Sequence, residues 1–222
     1  MKRAVLIWVS VMAVTACMAQ GIKLRHDTLR VYSTWQVLLS DSPHLLLENP
    51  LMTNYEQSNR FDLSTSGGKS KNYINATIKQ AMAVAITNDS TNEYFVNCAW
   101  LNHNMKHGAG ELGRNGFLPF FFNDKMACVI LSDYFFPTRW ETDVVIYTKI
   151  YHLDFEQSRV KEVTPKYLID LLGRYPDLRM RYEGNRHQKD ADIIIDFLEK
   201  YMNRIADDDT VPYIDEILTE NE

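Results

Sequence analysis

Hydrophobic and polar positions change their period several times along this chain, and the changes outline its elements. After a charged head, Met1-Lys2-Arg3, residues 4–15 are uncharged and almost wholly apolar. Such a run is too short for a transmembrane helix, which needs roughly 20 residues, and has the form of a secretory signal. Residues 29–39 then alternate. Val31, Trp35, Val37 and Leu39 share one side and Arg30, Thr34 and Gln36 the other, which predicts a half-buried strand ended by Asp41-Ser42-Pro43. The apolar cluster Leu45-Leu46-Leu47 has no period that assigns it.

Residues 64–72 are rich in Gly, Ser and Lys and read as an exposed flexible loop. Over 73–86, Ile74, Ile78, Ala81, Met82 and Ala85 form one helical stripe. Strand-like runs follow at 94–101, 117–122, 126–134 and 143–155, with Asn123-Asp124 as a hairpin turn. Short connections favour an antiparallel meander, with Phe121, Val129, Leu131 and Ile146 in the core.

The helical period returns in the last third. Thr164 caps a helix opened by Pro165, buried through Leu168, Leu171 and Leu172 and stopped by Gly173. Pro176 opens a short helix through Tyr182. Asp190 caps a longer one, in which Ile193, Ile194, Phe197, Leu198, Tyr201, Met202 and Ile205 keep the 3.6 spacing. From Ala206 onward there are acidic residues and no basic one, the composition of a solvated tail, although Val211, Tyr213, Ile214 and Leu218 would let part of it dock. Strands followed by helices predict an α+β fold, an antiparallel sheet followed by a C-terminal helical segment. The division is a signal peptide at 1–19 (1–16 for a lipoprotein), one α+β domain at 20–205 and an acidic tail at 206–222.

Composition adds little to the fold and more to the address. Hydrophobic residues make up 45 % and charged ones 24 % of 222 residues, ordinary globular usage that argues against wholesale disorder. Two signal cleavages fit. Val14-Thr15-Ala16-Cys17 resembles a lipobox and would leave Cys17 carrying lipid, whereas a cut after Ala19 would leave a chain starting at Gln20. Either removes Lys2 and Arg3 and takes the net charge from −5 to −7. An acidic exported protein lacks the basic face that phosphate contacts need, so nucleic acid is not an expected partner. A membrane is expected only through an anchor at Cys17, and the location is periplasmic, outer-membrane-anchored or extracellular. Cys98 and Cys128 remain after cleavage. In an oxidising compartment they could pair, worth about 3 kcal/mol in the chain-entropy model, or stay as two buried thiols.

The stretch running from His103 to Gly116 invites a metal or a nucleotide. His103, His107 and Glu111 would line one face of a helix and could bind zinc. However, Gly108, Gly110 and Gly113 each cost a helix about 1 kcal/mol, and Asn104 stands where a zincin carries its glutamate. We therefore expect no metal and read the histidines as loop residues. Gly108-Ala109-Gly110-Glu111-Leu112-Gly113 fits a dinucleotide string, but a strand rather than a helix follows it. Gly68-Lys69-Ser70 lacks the glycine a P-loop needs five residues earlier, where Leu63 stands. No catalytic residue, cofactor or cofactor-binding residue is expected. Arg174, Arg179, Arg181, Arg186 and Lys189 form a basic patch suited to an acidic partner, the protein's own tail or plain solvation. Tyr134-Phe135-Phe136-Pro137 and Trp140 could form an aromatic ledge.

Val96-Asn97-Cys98 after a strand, Thr164-Pro165 opening a helix and Tyr175-Pro176-Asp177-Leu178 before the closing helix resemble a group of uncharacterised exported proteins of Bacteroidota-type bacteria. The resemblance covers roughly half the chain and implies export, with no activity and no site residue to carry over. The expected function is an exported, envelope-associated or secreted, non-enzymatic module that binds a protein or ligand of the cell envelope. The alternative is an exported hydrolase with dispersed catalytic residues.

Overall fold

The computed structural model describes residues 22–23, 27–55, 58–65, 70–88, 91–135 and 145–219. The signal region with Cys17, residues 66–69 of the polar loop, and Phe136, Pro137 and Trp140 of the aromatic ledge lie outside the described residues.

The sheet grows from hairpins. The N-terminal strands are β1 (Ile22–Lys23), β2 (Thr28–Tyr32), β3 (Leu45–Glu48), β4 (Leu51–Asn54) and β5 (Phe61–Ser64). After them come β6 (Ala83–Asn88), β7 (Thr91–Asn97), β8 (Phe117–Phe122), β9 (Ala127–Phe135), β10 (Val145–Asp154) and β11 (Arg159–Glu162). Every ladder between these strands is antiparallel, and with the C-terminal helices the chain is α+β. The first set of neighbours runs β1-β4-β5-β8-β7-β6-β2-β3, and the second runs β8-β9-β10-β11. Strand β8 belongs to both. Phe117, Leu118 and Pro119 pair with β7, whereas Phe120, Phe121 and Phe122 pair with β9. Pro119 stands at the handover, where a missing ladder donor is best tolerated.

Side-chain alternation splits the core. Val96, Leu118, Phe120, Val129, Tyr151 and Leu153 face one shared cluster that both parts of the sheet line. On the opposite side, Val84, Phe95 and Phe117 pack with Ile78 of α2 (Lys71–Gln80). Phe121, Cys128, Ile130 and Ile150 pack beneath α4 (Pro165–Leu172), α5 (Pro176–Glu183) and α6 (Ala191–Ala206). The cap at Thr164 is present, its hydroxyl accepting from the Tyr167 N–H, and Leu168, Leu172 and Leu198 are fully buried. Burying each such leucine is worth about 1.5–3 kcal/mol.

Several expectations need correction. The alternation at 29–39 is not one strand: β2 stops at Tyr32, and α1 (Trp35–Leu39) follows because the Thr34 hydroxyl accepts from the Val37 N–H and Trp35 and Leu38 turn inward together. The helix drawn over 73–86 ends at Gln80. Residues 83–86 belong to β6, flanked by β2 and β7 and buried on both faces, and a fully buried apolar run carries no period that distinguishes strand from helix. Cys98 is not in a strand but opens α3 (Cys98–Asn104), where buried Asn97 accepts from the Ala99 N–H and donates to the Lys79 and Ala81 carbonyls. Ile146 is 46 % exposed rather than core. Asp190 stands at the start of α6, yet its carboxylate meets the His187 ring instead of capping the helix.

The C-terminal stretch is not a free tail. Lys125 donates to the Val211 carbonyl at 2.6 Å and lies 3.7 Å from the Tyr213 ring centroid. The Ile214 N–H reaches the Asp124 carbonyl, and α7 (Ile214–Thr219) buries Ile214 completely. Within the basic patch, Arg174 does meet the acidic stretch, through Thr210 and Asp208, while Arg179 pairs with Glu183 on its own helix.

Candidate functional site

The three candidate metal ligands are not brought together. His103 sits on the exposed last turn of α3, which ends at Asn104. His107 lies in a short bridge to Arg159, its carbonyl accepting from the Val160 N–H. Glu111 rides on the 3-10 turn Ala109–Leu112, where its charge acts on the Tyr151 phenol. Among the described residues no group of three His, Cys, Asp or Glu side chains could hold a metal ion.

The glycines serve close packing. At Gly108, φ is +82° and a Cβ would lie 2.2 Å from the Val160 carbonyl oxygen. At Gly116, φ is +88° and a Cβ would press on Arg60 and Tyr55, each 2.9 Å away. The loop thus curls over the Arg60 side chain, whose guanidinium lies 5.6 Å from the Tyr55 ring centroid. The Cys98 N–H and the Asn102 amide hold it down by donating to the carbonyls of Gly116 and Gly113. It forms a 3-10 turn rather than the continuous helix that would align His103, His107 and Glu111.

Cys98 and Cys128 are both free and buried. The strands separate them, since Cys98 belongs to the shared cluster and Cys128 to the one beneath the C-terminal helices. Burial pushes the Cys98 thiol up to about 12 against the opposing charge of Arg60, and burial pushes Cys128 higher still. Both are thiols at neutral pH. Neither has the lowered pKa that marks a reactive cysteine.

A group of titratable side chains gathered from several elements around His152 was missed in the sequence. His152 on β10 is flanked in register by Cys128 on β9 and Lys161 on β11. From α4, the Tyr167 hydroxyl stands 2.6 Å from His152 Nδ1. Burial lowers His152 to about 4, with Asp154 opposing and Lys161 assisting, and burial raises Tyr167. The imidazole is therefore neutral and the phenol protonated, so the Tyr167 O–H donates to Nδ1. Burial alone would raise Asp154, but hydrogen bonds from Lys161 Nζ at 2.5 Å and from the Gln157 N–H outweigh it and hold the carboxylate low. The result is a polar anchor that fastens α4 to the sheet. It has no thiolate–imidazolium pair and so lacks the activated form a cysteine nucleophile needs.

A second feature faces outward. Strand β11 pairs with residues 151–154 of β10 and the Val163 N–H donates to the Ile150 carbonyl, so residues 145–149 have β9 on one side and no named strand on the other among the described residues. The ribbon is braced from behind. Asn59 donates its amide to the Ile130 carbonyl and accepts from the Ser132 N–H. This stretch carries Ile146 and Tyr147, the latter 60 % exposed, and Lys149 paired with Glu162.

No helix among the described residues is long and apolar enough to cross a membrane. No family model, curated protein or solved structure matches this chain.

Proposed function

We propose that this is an exported, envelope-associated or secreted binding module that meets a partner protein through the exposed apolar side chains Ile146 and Tyr147 of β10. The observation that carries the reading is the pair of exposed large apolar side chains, Ile146 and Tyr147, on the two faces of β10. Large apolar side chains left exposed beside one another mark surfaces that meet a partner. Export is supported by the basic head and the apolar run at 4–15. A non-enzymatic role is supported by the chemistry of the gathered side chains: His152, Tyr167 and Cys128 are held neutral beneath α4.

The test is a photo-crosslinking residue placed at Tyr147 in the producing cell, with Tyr73, which is also exposed, as the control site. A discrete adduct from position 147 and none from position 73 is the expected result. Equal adducts from both, or none from 147, would reject Ile146 and Tyr147 as the contact surface. Mass spectrometry of the native protein tests export separately. The expected first residue is a lipidated Cys17 or an unmodified Gln20, and an intact Met1 would reject it.

A further inference from the structure

Trp35 is 1 % exposed, and its indole Nε1 has no hydrogen-bond partner among the described residues. Buried indole donors are normally satisfied, so an orphan of this kind calls for a cause. Its surroundings are aromatic. Phe155 lies at 4.8 Å between centroids, Phe120 at 5.9 Å, Phe122 at 6.1 Å and Trp100 at 6.4 Å, all edge to face. Trp100 and Phe122 are only partly buried, so this wall reaches the surface.

What lies over the wall is α7. Ile214 fills the cluster, Ile217 and Leu218 pack on its rim, and α7 touches α1, the element that carries Trp35. This cover is six residues long and hangs from the polar stretch 207–210. The stretch between that hanger and the helix is tied by Lys125, which holds the Val211 carbonyl and the Tyr213 ring. A short helix on a polar hanger is drawn from the low-stability end of a fold, where local opening is easiest.

We propose that α7 is a displaceable cover and that the aromatic wall beneath it, floored by Trp35, is a binding site for a planar apolar small molecule bearing a hydrogen-bond acceptor. Flat rings match the edge-to-face walls, and one acceptor satisfies the Trp35 N–H, the mix of apolar lining and sparse polar groups typical of small-molecule sites. While α7 is seated, the competent state is a minor population and the apparent affinity falls by that fraction. The inference is independent of the export reading and of the β10 contact surface.

The experiment uses full-length protein and Nile red, a planar apolar dye with a carbonyl acceptor whose fluorescence reports binding. Ile214→Glu lifts the cover and is expected to tighten Nile red by about tenfold, the gain when a cover open about a tenth of the time is removed. Leu218→Asp, which changes a partly buried side chain only, guards against an Ile214 variant that fails to fold and is expected to tighten binding in the same direction. The second readout is the indole ¹H–¹⁵N resonance assigned to Trp35 with Trp35→Phe. It is expected to shift when Nile red saturates the protein. Equal affinities in the parent and every variant that folds would overturn the proposal. So would binding that leaves the Trp35 indole resonance in place.

Discussion

The cluster beneath the C-terminal helices and the cluster shared by both parts of the sheet are similar in content but opposite in construction. The first draws most of its apolar contacts from three helices that follow one another over residues 165–206, each with its own start and stop. The second takes one to three side chains apiece from α1, α3, the 3-10 turn, seven strands and α7, spread from Tyr32 to Ile214. A core assembled locally can be repaired locally. One assembled from scattered donors has many ways to be opened at a single point and few to be formed in parts. The orphaned Trp35 donor belongs to the second kind, where packing rather than polar satisfaction decides the geometry.

The sharpest way to break this contrast is truncation at each centre. Trp35→Ala is expected to cost about 4 kcal/mol and Leu198→Ala about 3 kcal/mol, both measured by urea unfolding. If the shared cluster is the joint of the whole fold, near- and far-ultraviolet dichroism will report one coincident transition in the Trp35 variant. Helical signal that outlasts loss of tertiary signal there would show the C-terminal helices to be separable and would end the comparison as drawn.

Acid probes the helix-covered side through His152. His152 is held near 4 in the folded chain, below its ordinary value of 6.5. Between those values the unfolded chain takes up a proton that the folded chain refuses. Its stability is therefore full above about pH 6.5, falls as pH drops through the window and levels below about 4, by up to about 3 kcal/mol. Unfolding titrations at pH 7 and 5 check this, and His152→Gln is expected to flatten the difference. An unchanged slope would deny His152 its role in fastening α4.

A smaller effect sits at the seam of the loop. Gly108→Ala demands a Cβ against the Val160 carbonyl at positive φ and is expected to cost about 2 kcal/mol, seen as a lowered Tm. Gly110→Ala, with open space around it, should change little. The smallest expected effect is none: with both cysteines free on opposite sides of the sheet, reductant should leave Tm within about 1 °C. A drop of several degrees would mean the thiols do pair and that the two clusters are not the separate bodies described.

The same contrast explains what could be read from the sequence. Helices α4 to α6 were legible to within a residue or so because Thr164, Pro165, Gly173 and Pro176 punctuate them and the apolar spacing is helical throughout. The β8–β9 hairpin was legible from its turn, where the Asn123 N–H donates to the Met126 carbonyl. Helices α1 and α3 were not, because each is under two turns and is held by caps and burial rather than by pattern. Strand β6 was not, because burial on both faces erases alternation. The polar anchor was invisible for another reason. Cys128, His152 and Tyr167 stand far apart in sequence, and only the pairing of β9, β10 and β11 together with the seat of α4 places them side by side. His103, His107 and Glu111, whose spacing was so suggestive, depended on a helix that ends after the first of them.

Strand β8 lends its first half to one set of neighbours and its second half to the other. Two ladders zipped onto a single backbone cannot breathe separately, since a fluctuation that peels β8 from β7 also pulls at its hold on β9. Amide protons on both sides of Pro119 should therefore trade with solvent at a common slow rate, making the middle of this chain a single hinge-free beam from which the more mobile parts hang.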